Sequence, residues 1–216
     1  MDMIGSPGPR TLAAAVMAAA MVLGGCTSEG ATTQRPTQPA VTVGAQTTAV
    51  TTASTSAPAT SGDLDASHGI TLTLAPGWVI SSVTDEDDGR LHTLDHAATG
   101  GQLLLVTTGV VADETPATFC VGAQDELGDR YQRNGAVTRT QGASHSDNAH
   151  TCGLAATNDD GAAIEITIFA AVGTRAAFVS AALFPADTPQ GVSQESFDQA
   201  VRDASQMSSE LLNDID

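Results

Sequence analysis

The chain has 216 residues, a formal net charge of −17 and no lysine, its eight basic residues all being arginine. A surface so acidic repels nucleic acid and anionic lipid headgroups, which sets both aside as partners and leaves basic proteins or divalent cations open. The absence of lysine also excludes any lysine nucleophile or Schiff base.

In chain order, the first element is a secretory signal: Met1–Arg10 with Arg10 as its basic residue, then an apolar run from Leu12 to Leu23. That run is about twelve residues, or about 18 Å of helix, against a hydrocarbon core about 30 Å thick, so it is too short to span. It ends in Leu23-Gly24-Gly25-Cys26 rather than in an Ala-x-Ala site. Small side chains admit the backbone to a peptidase cleft, and the Cys26 thiol is the atom that takes a diacylglyceryl thioether. The segment resembles the bacterial lipoprotein signal. The resemblance implies removal of residues 1–25 and lipidation of Cys26, with acyl chains (palmitate among them) holding the protein on the extracytoplasmic face of the cell membrane. Two or more chains at about 0.8 kcal/mol per buried CH₂ give stable attachment.

Residues 26–63 form the lipidated cysteine and a linker rich in Thr, Ala and Ser, with Pro36, Pro39 and Pro58 and few large apolar side chains. Such a segment buries too little surface to offset the entropy of ordering, and disorder is expected. About 36 residues at 5–6 Å × √n reach roughly 30–36 Å, enough to lift a domain off the membrane. Its composition is compatible with O-glycosylation without requiring it.

About 150 residues remain, 64–216, which suits one domain with one core. Ile70-Thr71-Leu72-Thr73-Leu74 alternates like a half-buried strand and is broken by Pro76-Gly77. Trp78–Val83 reads as a second strand and Asp85–Gly89 as an acidic turn. Arg90–His96 is a third strand and Gln102–Val111 a strongly apolar fourth. Asp113 or Thr115 can cap a helix over 117–133, with Pro116 in its first turn and Phe119, Cys120, Leu127 and Tyr131 on one face. Val137–Thr140 and Cys152–Thr157 read as short strands around a polar loop, Gly142–Thr151. Asn158-Asp159-Asp160-Gly161 is a tight-turn signal. Ala162–Val172 and Arg175–Phe184 form a hairpin about Gly173. Ser193 caps a final helix, whose Phe197, Ala200, Val201, Ala204, Met207, Ser208 and Leu211 share a stripe. Strands with helices between and after them indicate an α+β domain, an antiparallel sheet packed by helices.

The opening Gly69-Ile70-Thr71-Leu72-Thr73-Leu74-Ala75-Pro76-Gly77-Trp78, the central helix, the late hairpin and the C-terminal helix together resemble the PsbP-like fold. More narrowly, they resemble the LpqN-type lipoproteins of actinobacterial envelopes. The resemblance implies a three-layer α/β/α sandwich and a role in binding or assembly, without catalytic residues or a cofactor.

Cys120 and Cys152 are the cysteines left after Cys26, and an even pair in an exported domain reads as a disulfide. His92, His96, His145 and His150 suggest a metal site only weakly. On a strand, His92 and His96 share a face but lie roughly 13 Å apart, and His145 and His150 fall in the polar loop. Cys120 and Cys152 join them only if unbridged. Aligning Gly89 with the glycine of an EF-hand loop puts Thr84 first and Asp95 twelfth, a poor match; a solvated acidic turn is the better reading. No Gly-x-Ser-x-Gly, His-Glu-x-x-His or phosphate-binding loop occurs. The sequence therefore leads to a non-enzymatic, lipid-anchored envelope protein whose domain binds a protein or small ligand, an envelope or host protein among them. A carrier of hydrophobic molecules, with a cavity between sheet and helices, is the alternative.

Overall fold

The computed structural model describes residues 62–86, 89–109 and 114–216. The signal, Cys26, most of the linker, Asp87-Asp88 of the acidic turn and residues 110–113, with the candidate cap Asp113, lie outside the described residues.

Strands β1 (Asp63–Ser67) and β2 (Ile70–Thr73) form a separate hairpin. Seven strands make one antiparallel sheet: β3 (Trp78–Glu86), β4 (Gly89–His96), β5 (Gly101–Gly109), β6 (Thr138–Ser146), β7 (Ala149–Thr157), β8 (Ala163–Val172) and β9 (Ala176–Pro185). Their spatial order is β3-β4-β5-β9-β8-β7-β6. Helix α1 (Pro116–Gln132) lies between β5 and β6 in sequence, and α2 (Gln194–Glu210) follows β9 and runs into a 3-10 turn, Leu211–Asp214. The α+β class expected from the sequence is the observed one.

Local chemistry sets the helix starts. Thr115 Oγ1 accepts from the Thr118 N–H at 3.2 Å while Thr118 Oγ1 accepts from the Thr115 N–H at 2.9 Å, a reciprocal cap followed by Pro116 at the first position. Ser193 Oγ accepts from the Ser196 N–H at 3.2 Å at the head of α2. Asn158 turns the chain between β7 and β8 by accepting the Asp160 and Ala162 N–H groups at 3.0 and 2.9 Å.

Each face of the sheet carries a buried core. Helix α1 packs Phe119, Cys120, Ala123, Leu127 and Tyr131 on β7 and β8. On the other face α2 and the β1–β2 hairpin enclose Trp78, Leu103, Leu105, Phe178, Phe184 and Phe197. Burying each such side chain contributes about 1.5–3 kcal/mol. Cys120 and Cys152 are bonded, with Cα atoms 6.1 Å apart, and the bridge fastens α1 to β7 inside the first core.

Four expectations are corrected. Strand β1 is unexpected: its Leu64 and Ala66 are buried, but the strand is short and two of its five residues are aspartate. The Gly142–Thr151 loop is instead the tip of a long hairpin, because β6 runs from Thr138 to Ser146 and β7 starts at Ala149. Every residue of β6 is exposed, so no apolar alternation marks it. The acidic turn is narrower than Asp85–Gly89, since Asp85 is in β3 and pairs with Arg90 across the ladder. Val201 is not core: it is 36% exposed, while Phe197, Ala200, Ala204, Met207, Ser208 and Leu211 are buried.

Candidate interaction surface

The two helices cover the sheet in a staggered way. On the face away from α1, one row crosses all seven strands: Val83, His92, Leu105, Ser180, Phe169, Thr151 and Ala143 are successive partners. Helix α2 sits over the middle of that face, against β9, β5 and the β2 strand of the hairpin. Ser208 on α2 accepts from Ser180 of β9, Oγ to Oγ, at 2.8 Å. Met207, one position back, turns the other way, its Sδ accepting the Ala75 N–H at 3.5 Å. The hairpin therefore lies on the Met207 side of α2. At 100° per residue, the Ser208 side carries Val201 and Ser205 toward β8, and Leu212 follows in the 3-10 turn.

Beyond that flank the sheet is open. Thr138, Thr140, Ala143, Ala155, Glu165 and Thr167 on this face are exposed, and Phe169 is half-buried. Phe169 stacks between His145 and Phe178, with ring centroids 6.2 and 5.9 Å away. The inner corner, where α2 meets the open strands, holds Val201, Leu212, Ala182 and Phe169, all at least partly accessible.

The negative charge is concentrated in the domain. Asp2 and Glu29 balance Arg10 and Arg35 in residues 1–61, so the net −17 falls on residues 62–216. Three of the domain's arginines are committed to carboxylates: Arg90 to Asp85 at 2.6 Å, Arg133 to Asp159 at 3.2 Å and Arg139 to Asp125 at 3.3 Å. Asp159 is held below the usual carboxylate range, first by the Asn134 side-chain hydrogen bond and then by Arg133.

The structure separates the sequence-level candidates. His92 and His96 face the same side of β4, as their spacing requires, but His92 is 1% exposed and His96 stacks on Trp78, centroids 5.4 Å apart. Burial, and then Arg90, lower the His92 pKa to about 4, and its Nδ1 has no hydrogen-bond partner. His145 and His150 are on β6 and β7 rather than in a loop. Their rings meet hydroxyls, Thr151 Oγ1 at 2.9 Å and Ser144 Oγ at 3.0 Å. Among the described residues, no three His, Cys, Asp or Glu side chains are grouped as metal ligands. No described helix is long and apolar enough to cross a membrane. Beside the hairpin, Ser67 and His68 both adopt positive φ, 76° and 52°. The turn is held there by Ser67 Oγ against Thr107 Oγ1 at 2.9 Å and by the Thr107 hydroxyl donating to the Ala66 carbonyl. The open face of β6–β8 was not visible in the sequence. Its only trace is Val201, an apolar residue at the margin of an amphipathic stripe.

The molecule is thus an α+β domain, a seven-stranded antiparallel sheet with one helix on each face, the layer order the resemblance implied. No family model and no curated protein matches the sequence. Among solved structures the chain is similar to the Ran-binding protein Mog1p of Saccharomyces cerevisiae, at 14% identity over 72% of this chain and 92% of that one, with a TM-score of 0.41.

Proposed function

We propose that this chain is a non-enzymatic, lipid-anchored protein of the cell envelope, of the LpqN type, whose domain binds another protein at the extracytoplasmic face of the cell membrane. The observation that carries the reading is the contrast between two buried cores and an open half-sheet. Side chains of α1, α2 and the hairpin are buried in two clusters against the sheet, whereas β6 and its neighbours present a broad exposed face. A carrier of hydrophobic molecules needs apolar volume in those layers; a binding module needs accessible surface. Export is supported by the lipid-attachment pattern ending at Cys26 and by the bonded Cys120 and Cys152, since structural disulfides persist in oxidising compartments. A non-enzymatic role is supported by the histidines, whose ring hydrogen bonds at positions 96, 145 and 150 go to neutral hydroxyls rather than to carboxylates.

Fractionation and cross-linking of the intact lipidated protein test this. The wild-type chain stays in the membrane fraction after a carbonate wash and Cys26→Ala does not. Photo-cross-linkers at exposed positions of the domain yield adducts with a defined protein. Retention of Cys26→Ala in the membrane overturns the anchor, and recovery of lipid bound stoichiometrically within the domain overturns the binding role in favour of the carrier.

A further inference from the structure

The geometry points to a docking groove for a basic amphipathic helix of a partner protein, lying along the open flank of α2. This rests on the protein-binding reading and specifies the partner's chemistry. The groove floor is the uncovered face of β8, β7 and β6. Neighbouring strands are about 4.8 Å apart, so the floor is about 10 Å from first strand to third. A helix with its side chains is about 10–12 Å across. The space beside α2 is therefore one helix wide, and a helix laid there completes the layer that α2 begins.

The apolar groups are at the inner corner, where such a helix makes its closest contact. Val201 and Leu212 project from the wall, and Phe169 and Ala182 form the adjoining floor. Farther out, Thr138, Thr140 and Thr167 are exposed and uncharged. The formal charges on this side are acidic, Glu165 on the floor and Asp198 on the flank of α2, and the ring of His145 lies against Phe169. Arginines point elsewhere. Arg139 alternates to the opposite face, where it meets Asp125 of α1. Arg175 donates to the Asp214 carbonyl at the end of the sheet, and Arg202, one turn on from Asp198, is drawn aside to Gln199. An incoming helix with an apolar stripe and flanking Arg or Lys side chains satisfies both the corner and its rim. A second copy of this chain brings the same net charge of −17 to an acidic groove, and like-charge repulsion opposes it.

The test uses the intact lipidated protein in zwitterionic nanodiscs, with empty nanodiscs as the blank. Two helix-forming probe peptides share one leucine stripe; one is flanked by Arg and Lys, the other by Glu, and each carries a photo-cross-linker. The basic peptide is expected to bind and to cross-link to β8 and α2. Val201→Ser and Glu165→Arg each weaken it by about fivefold or more, a typical effect at an anchor residue. Val121→Ser, at a more exposed valine on α1, leaves binding unchanged. All three positions are exposed, and unaltered thermal melts confirm that the variants are folded. Equal binding of the acidic peptide, unchanged affinity in both groove variants, or cross-links on α1 overturn the groove. A partner protein cross-linked in the envelope through Val121 or Val83 removes the groove while preserving the protein-binding reading. Stoichiometric lipid within the domain removes both.

Discussion

The carbonyl oxygen of Ile215 lies so close to Gly173 that a Cβ there would overlap it. The C-terminal segment is pressed against the turn between β8 and β9. Ile215 is fully buried, its carbonyl accepts the Arg175 N–H at 2.9 Å, and Asp214 reaches across to accept the Thr71 N–H of β2 at 3.0 Å. One short segment thus joins the hairpin, the β8–β9 turn and the second core. Gly173→Ala should force the carbonyl away and lower stability by about 1–3 kcal/mol, the usual cost of overpacking. Urea denaturation of the variant checks this, and Gly191→Ala serves as a comparison at a site with no neighbouring atoms in the way, where only the positive φ of 88° opposes the substitution.

The Cys120–Cys152 bridge closes a loop with a sequence separation of 32 and is the covalent tie between α1 and the sheet. A loop of that size corresponds to about 4 kcal/mol in the chain-entropy account. Non-reducing peptide mapping of the exported protein should recover the two cysteines as one linked peptide. Cys120→Ala with Cys152→Ala should lower the unfolding free energy by about 2–5 kcal/mol. Recovery of free thiols from the exported protein would contradict the assignment.

Legibility in the sequence followed burial. Strands with one face in the core announced themselves: Ile70–Thr73 alternates, and Ala163–Val172 and Ala176–Pro185 flank their turn at Gly173 as expected. Thr115 and Pro116 marked the start of α1 because the unsatisfied N–H groups of a helix need an acceptor. Strand β6 is legible only at its start, Val137–Thr140, and its continuation to Ser146 reads as loop for the opposite reason. It is an edge strand exposed along its whole length, and hydrophobic periodicity records only strands that bury something. The candidate groove was equally silent. Its floor is built from Thr and Ala that alternate with core residues, and only the register of β6, β7 and β8 brings them together. Val201 was read as core because helical spacing cannot tell a position under a sheet from one just beyond its covered part.

His92 ties stability to pH. The ring is neutral in the fold because burial, then Arg90, lowers its pKa from 6.5 to about 4. The unfolded chain therefore binds the proton more readily than the native one between these values. The stabilisation is fully present above pH 6.5 and is lost as pH falls toward 4; below that both states are protonated and this group adds nothing further. The total is about 3 kcal/mol, from about 1.4 kcal/mol per pH unit. His92→Leu should flatten the pH dependence of the urea midpoint between pH 6.5 and 4. A slope equal to that of the wild type would assign the dependence to other groups.

Phe197 and Gln199 separate the buried and outer faces of α2. Phe197 meets Phe184 edge-on with centroids 5.7 Å apart, and Phe184 in turn meets Trp78 at 6.1 Å, so truncation at 197 opens one end of a continuous aromatic cluster. Gln199 points outward and bonds only to its helix neighbours, donating to Asp203 at 2.7 Å and accepting from Arg202 at 2.8 Å. Phe197→Ala should cost about 3–5 kcal/mol, the range for a large-to-small change in a core. That is comparable to the whole stability of a modest domain, so the variant should be largely unfolded. Gln199→Ala should fall within about 0.5 kcal/mol of the wild type. Chemical denaturation of both, followed by the fluorescence of Trp78, gives the comparison directly, because the single tryptophan sits in the same cluster. Similar losses in the two variants would mean that α2 does not hold its stripe against the sheet, and the groove that its flank forms with β8 would go with it.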